Sequence, residues 1–585
     1  MLKNKKENNE YLLFTLGAVI GFIIFIFIYG LDILNFTKDS LIINGYIEKD
    51  IAQHYAGWML FRNSPWQFPL GVGQNISYPF GSAVSYTDSI PLFAIIFKMF
   101  RSFLPETFQY FGLFVLICFM LQGAFGSLLS NLFTRNIVVN IISSAIFVLS
   151  PIMLERAFRH CGLTAHFLIL SALYYYFKNK HRVDYKAYLP FFIINALAIT
   201  IHPYFLPFTF GIMFAFAIEQ FILNKKFFSS IYSIVLSIVF TLLIGYIIGA
   251  FYISGSMSTI GYGMFSMNLN SLHNPISKGF DNWSAMLEIK PNLSYQIEGF
   301  NYLGLGIIVS IPLAIILYIT VYGKQIISKV LSFLFNYFGI IFSTCALLIF
   351  ALGDYITFGG LQIFRLPIPF DINSGIFGIF RANGRFGWLF VYLTITAIIF
   401  IISKIDNKFI AVAILSLITF VQAYDMRYVL ASKHAYFTSS SGDYQGQIYK
   451  EILKNTFWDD ASEKYSVGHM HSSYIGNSSI EIAIKFGKSN QAVNTSFEAR
   501  QNTELISELN TDIINSILDG TFDSDMLFII SEINDEIIYA AQKYNYSIFN
   551  IENQYVICHN KFIQEEIDSY KSQGDFEIIH SPDFV

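Results

Sequence analysis

GYIEKDIAQHYAGWMLFRNSPWQFPLGVGQNISYPFGSAVSYTDSIP, residues 45–91, follows the first apolar run and decides how the rest of the chain is read. It carries Glu48 and Asp50 close together and is crowded with Gly, Pro, Trp and Tyr, a density that a passive connector does not need. A helix opening at Asp50 would set Asp50, His54 and Gly57 on one face and Ile51, Tyr55 and Trp58 on another. Such a helix is expected to lie along a membrane surface, with a carboxylate and an imidazole placed to act as acid or base. Plain helix capping by Asp50 and headgroup contact by His54 explain the same residues without chemistry.

The membrane enters through composition. Of 585 residues, 54% are hydrophobic, 18% aromatic and only 13% charged, which marks a polytopic α-helical membrane protein. The net charge of −4, with no basic cluster interleaved with aromatics, excludes a nucleic-acid partner. The four cysteines, Cys118, Cys161, Cys345 and Cys558, are widely separated and form neither a zinc pattern nor a disulfide framework. Residues 11–30 are too long for a signal-peptide core and lack a small-residue cleavage site, so they read as a retained span.

Apolar runs predict about eleven spans, each judged against the ~20 residues a bilayer requires. They lie near 11–34, 107–133, 136–153, 161–177, 187–201, 203–222, 227–253, 300–322, 333–352, 386–403 and 408–424. Short-loop Lys and Arg, among them Lys178, Lys180, Arg182 and Lys186, collect on one side if 89–105 does not cross. That side is the cytoplasm, with the N-terminus in it. Residues 45–106 then form one extracytoplasmic loop holding two membrane-surface helices.

The opposite side gathers ionisable residues, which are costly at membrane depth and point to function. Arg156, Arg159 and His160 stand at i, i+3, i+4 and are expected to share a helix face that suits an anionic ligand or simple anchoring to headgroups. Arg381 and Arg385, at i, i+4 where the tenth span begins, match the bidentate grip of a guanidinium on phosphate, although headgroup anchoring is the plainer role. His202 beside Pro203 predicts a helix break. The stretch GYGMFSMNLNSLHNP, with Tyr262 and Asn268, offers aromatics and amides suited to a sugar, or to an ordinary ordered loop.

Residues 1–425 thus read as the transmembrane module and 426–585 as an extracytoplasmic α/β domain. In the latter, helix patterns at 445–458, 503–518 and 535–544 alternate with strand patterns at 526–531, 546–550 and 554–558. His469 and His471 would share a strand face, a weak metal signal.

A first span, an acidic and aromatic loop with two surface helices, then many spans, resembles the GT-C superfamily of integral membrane glycosyltransferases. EKDIAQHYAGWMLFRNSPWQFPLG, TDSIPL, RHCGLTAHF, GYGMFSMNL and FRANGRFGW look closer still to a bacterial multi-pass family of unassigned function. The resemblance implies a place in the bacterial cytoplasmic membrane, a polyprenyl-phosphate sugar donor and an envelope acceptor. It places the base at Asp50, with Glu48 second and His54 beside them, and the donor phosphate on Arg381, Arg385, Arg156 and Arg159. His160, His202, Trp58, Tyr262 and Asn268 would orient acceptor or sugar. Some GT-C members bind a divalent metal, Mg or Mn, through an acidic pair, which EKD matches only loosely. A lipid or sugar-lipid transporter, or a non-catalytic envelope assembly protein, would use the same charges for binding alone.

Overall fold

The computed structural model describes residues 2–45, 50–182, 184–252, 261–277, 282–367, 375–439, 452–471, 477–495, 498–499 and 503–582. They divide into two compact units. The first comprises Met1–Asn35, Tyr110–Ile244 and Ser258–Tyr444, and the second Phe36–Gln109, Gly245–Met257 and Gln445–Val585.

The first unit is helical because its sequence is apolar in long runs with no polar face to spare. Among the described residues, seven helices are long and apolar enough to cross a membrane, which makes this a membrane protein. They are Asn9–Tyr29, Phe111–Asn131, Pro203–Asn224, Phe227–Ile247, Leu305–Asn336, Asn383–Ser403 and Lys408–Asp425. The other expected spans are shorter helices, Ile137–Val148, Phe167–Asn179, Tyr185–Ile201 and Phe338–Leu352. Glycines set how closely the helices approach. A Cβ at Gly17 would lie 2.4 Å from the Gly123 carbonyl oxygen, so the first span and Phe111–Asn131 touch backbone to backbone, the small-residue mode of membrane helix pairs. The break at His202 is present: the helix ends at Ile201, and the His202 Nδ1 accepts the Tyr204 N–H at 3.2 Å as the chain restarts. A hairpin, β1 (Tyr355–Phe358) and β2 (Leu361–Arg365), also belongs to this unit.

The second unit joins the first loop to the tail. Its sheet runs β3 (Val467–Met470), β4 (Ala492–Val493), β5 (Met526–Ile530), β6 (Ser547–Ile551), β7 (Gln554–Cys558) and β8 (Phe576–His580), in spatial order β8-β6-β7-β5-β3-β4. The strands β4, β3 and β5 are parallel and the rest antiparallel. Sequence patterning found β5 to β7 and the helices Thr503–Asp519 and Asp535–Tyr544. It expected a strand at His469 and His471, where β3 ends at Met470, and it missed β4 and β8. Half of the expected helix 445–458 falls outside the described residues, and in the other half the helix begins only at Phe457, running to Lys464.

The loop helix does open at Asp50 and runs to Asn63, yet it is no surface helix. Eleven of its residues are buried, because the tail helix Asn477–Lys488 packs along it. Gly487 fits against Met59 and Leu60, the Asn63 amide donates to the Gly487 carbonyl at 2.8 Å, and Lys488 pairs with Asp39 at 2.8 Å. The Tyr78 N–H donates to the Val493 carbonyl and the Val493 N–H to that of Asn75, so the loop pairs with the free edge of β4. The second loop helix, Pro91–Met99, keeps Ile96 and Met99 exposed, as an interfacial helix would. Asp88 does not cap it; Ile90 stands at that position.

Candidate functional site

The first unit holds an ionic cluster assembled from three separate stretches. Pro151 opens a short helix that ends at Arg156, and Phe158 then takes a left-handed backbone, φ 60°. Arg156, Arg159 and His160 therefore do not share a helix face, contrary to their spacing. A tight turn brings them together instead, with the Arg159 and His160 N–H groups both donating to the Arg156 carbonyl. From the second stretch, Ser294–Gly299, comes Glu298, and from the third, Asn383–Gly387, comes Arg385. Gly299 and Gly384 permit that meeting, since a Cβ at Gly384 would stand 2.6 Å from the Gly299 Cα. Asn301 locks it by donating to both glycine carbonyls at 2.8 Å.

Glu298 is the hub. Its carboxylate takes Arg159 Nη2 at 2.6 Å, Arg156 Nη1 at 3.1 Å and Arg385 Nη2 at 3.5 Å, while Arg156 Nη2 also donates to its carbonyl at 3.1 Å. Glu155 lies 2.9 Å from Arg156 Nε and pairs with Arg159. Burial alone would raise the Glu298 carboxyl, but Arg159, Arg156 and Arg385 hold it well below the usual carboxylate range. Burial, then the charges of Arg159, Arg385 and Arg156, push the His160 imidazole well below its ordinary value, leaving it neutral at physiological pH.

Among the described ion pairs of the cluster, three guanidiniums face two carboxylates, one positive charge in excess. Arg385 supplies the open position: its Nε is buried without a hydrogen-bond partner, and its guanidinium stands 5.0 Å from the Tyr204 ring. An unspent buried donor in a net-positive cluster suits an anion. Both Glu155 and Glu298 are engaged by arginine.

The other candidates are placed as follows. Arg381 is exposed, its stem against Gly261 and outside the ion-pair set. His202 lays its ring against Gly162. Tyr262 packs between Phe350 and Phe377, and burial pushes its hydroxyl up to about 12. Asn268 spends its amide on Gln296 and the Gly359 carbonyl, at 2.9 and 2.8 Å, as a loop staple. In the second unit, His54 is buried with its Nε2 3.9 Å from an Asp88 oxygen, and Asp50 is half-buried at the head of the same helix. Trp58 is a packing residue whose Nε1 donates to the Phe108 carbonyl at 2.9 Å. Glu48 lies outside the described residues.

Glu298 was missed by sequence reasoning. The signal was a lone acid in an aromatic stretch, YQIEGFNYLG, directly before a span, where a charge demands a partner.

A family model, described as a domain of unknown function (DUF6311), matches residues 18–427. The chain belongs to the DUF6311 family. The DUF6311 match takes in the Arg156, Glu298 and Arg385 stretches as well as the loop helix. No curated protein matches the chain.

Proposed function

We propose that the protein is a GT-C-type membrane glycosyltransferase that moves a sugar from a polyprenyl-phosphate donor to an extracytoplasmic acceptor. The observation that carries this reading is the arginine excess around Glu298, with the Arg385 Nε open and a neutral imidazole beside it. A sugar leaving on a lipid phosphate needs its departing oxyanion stabilised more than it needs a new leaving group. In the proposed step a base takes the proton of the acceptor hydroxyl, a role that the resemblance alone gives to Asp50, and the acceptor oxygen bonds to the anomeric carbon. The sugar–phosphate bond breaks, and the polyprenyl phosphate departs toward the arginines.

Eleven crossings with the tail outside complete the proposal. In this proposal the first loop, residues 245–252 and the tail, which belong to one compact unit, lie on one side of the membrane. Three long helices lie between the first loop and residue 245, and three more between residue 257 and the tail. Odd numbers cannot return the chain to the same side. The parity closes if Ile137–Val148, Phe167–Asn179 and Tyr185–Ile201 cross in the first interval and Phe338–Leu352 in the second.

The deciding experiment is sugar transfer by purified protein in detergent from a panel of synthetic polyprenyl-phosphate sugars, where no compartments exist to be bridged. Transfer supports the enzyme. Folded protein that transfers nothing yet moves such lipids across a vesicle membrane would be a transporter.

A further inference from the structure

The apolar helix Phe338–Leu352 gives way within two residues to the hairpin β1–β2. Its register pairs Tyr355 with Arg365, Ile356 with Phe364 and Phe358 with Leu361, and Gly359-Gly360 closes the turn with Gly359 at φ 60°. A two-residue glycine turn is what a tight hairpin requires. Its exposure is unusual. Every residue of β2 faces outward, with Leu361 74% and Ile363 61% exposed, and Phe358 and Phe364 are exposed beside them. A lone two-stranded ribbon is marginal in water, and an apolar open edge invites aggregation.

The turn end of the ribbon, in contrast, is fixed. Thr357 is fully buried and exchanges hydrogen bonds with the Gln296 amide at 2.8 and 3.1 Å. Asn268 grips Gly359 at both its N–H and its carbonyl, at 3.0 and 2.8 Å. The exposed apolar side chains are therefore carried on a ribbon whose turn is held by rigid contacts. At the root Arg365 is exposed, its guanidinium 4.5 Å from the Tyr355 ring and its Nε 3.6 Å from the buried Asp354.

Exposed apolar side chains beside a guanidinium–tyrosine pair are the profile of a segment seated at the membrane–water boundary, where arginine and tyrosine prefer the headgroup level. The hairpin belongs to the unit that carries the candidate spans and begins where one of its apolar helices ends. We infer that the exposed side chains of Phe358, Leu361, Ile363 and Phe364 are immersed in the headgroup–acyl boundary of the bilayer, with Arg365 and Tyr355 at headgroup level. Lipid is favoured over a protein partner because the root carries an interfacial cation–aromatic pair and the chain enters the hairpin directly from an apolar helix. The inference stands apart from the glycosyltransferase reading.

The test attaches an environment-sensitive fluorophore to Leu361→Cys in full-length protein lacking Cys118, Cys161, Cys345 and Cys558. The labelled protein is reconstituted into phosphatidylcholine–phosphatidylglycerol vesicles with or without nitroxide-labelled lipid. The expected result is strong quenching by a shallow nitroxide and none for the same label at Lys571→Cys, an exposed tail position. Quenching no greater than at Lys571 overturns the inference. So does a disulfide-linked dimer through Leu361→Cys accompanied by no lipid quenching, which would assign the surface to a second copy. Ile363→Cys repeats the measurement if the first variant does not elute as the parent does.

Discussion

Arg159 Nη2 stands 2.6 Å from Glu298 Oε1, tying together two stretches 139 residues apart in the chain. Arg156 closes on the other oxygen of the same carboxylate at 3.1 Å. One acid thus balances guanidiniums that would otherwise repel one another in a buried place.

Replacing Glu298 with Gln keeps its shape and removes the balance. Breaking one side of a buried ion pair costs about 3–5 kcal/mol, because the charges left behind are unpaired and out of water. Glu298→Gln should lower the thermal midpoint of detergent-solubilised protein well below that of Arg381→Gln, which touches only an exposed side chain. The Glu298 carboxyl is depressed in the folded protein, so its contribution is in full force at neutral pH and is lost only as strong acid protonates it. A Glu298→Gln midpoint equal to the parent's would remove the hub role.

Arg385 separates binding from anchoring. Its Nε is the open donor, and lysine at 385 would keep the charge while losing the planar fork. Losing one charge-assisted hydrogen bond costs roughly 1.5–3 kcal/mol, about ten- to a hundredfold in transfer rate. Arg385→Lys with parental kcat/KM for a polyprenyl-phosphate sugar would move the proposed phosphate contact to Arg156 and Arg159.

How much of this the sequence disclosed depends on the range of the interaction. Helices set by composition were legible, as was the break at His202, since both follow from local rules. The convergence of Arg156, Arg159 and Arg385 was legible only as separate hints, because it depends on Gly299 meeting Gly384 and on Glu298 across more than a hundred residues. The loop helix was misjudged for the same reason. Its alternating polar and apolar residues suggested a surface face, while the tail helix that buries it lies some four hundred residues later. Nothing local in residues 50–63 announces that partner.

Lys98, on the second loop helix, gives a pH prediction. It is buried against the Phe61 and Trp66 rings at 4.0 and 4.7 Å, and burial, then Arg101, lowers its ammonium to about 7. The folded form therefore holds fewer protons than the unfolded one between about pH 7 and the ordinary lysine range, and stability rises with pH there. The thermal midpoint should climb from pH 7 to pH 9, and Lys98→Met should flatten that climb. An unchanged slope in Lys98→Met would mean that contact with the two rings keeps the ammonium charged throughout.

The crossing count has its own test. Glu106 and Lys571 are exposed in the second unit, and Arg182 is exposed in a lysine-rich turn of the first. Single cysteines at Glu106 and Lys571, in protein without its native cysteines, should react with an impermeant thiol reagent in intact cells, while one at Arg182 should stay silent. Reaction at Arg182 would invert the topology. Reaction at only one of the other two would break the shared-side argument.

The last prediction concerns the base. Asp50 heads the loop helix, half-buried, with His54 one turn along and within reach of Asp88. Asp50→Asn keeps size and hydrogen bonding but cannot accept the acceptor's proton, so turnover should fall by ~10²–10⁴ while the thermal midpoint stays near the parent's. Asp39 is the contrast, because it accepts the Tyr55 hydroxyl and pairs with Lys488, and so holds the loop helix to the tail. Asp39→Asn should lower the midpoint while leaving kcat per folded molecule close to parental. A structural role for Asp50 would give it the Asp39 pattern, stability lost and turnover kept. The catalytic role gives the reverse, turnover lost and stability kept.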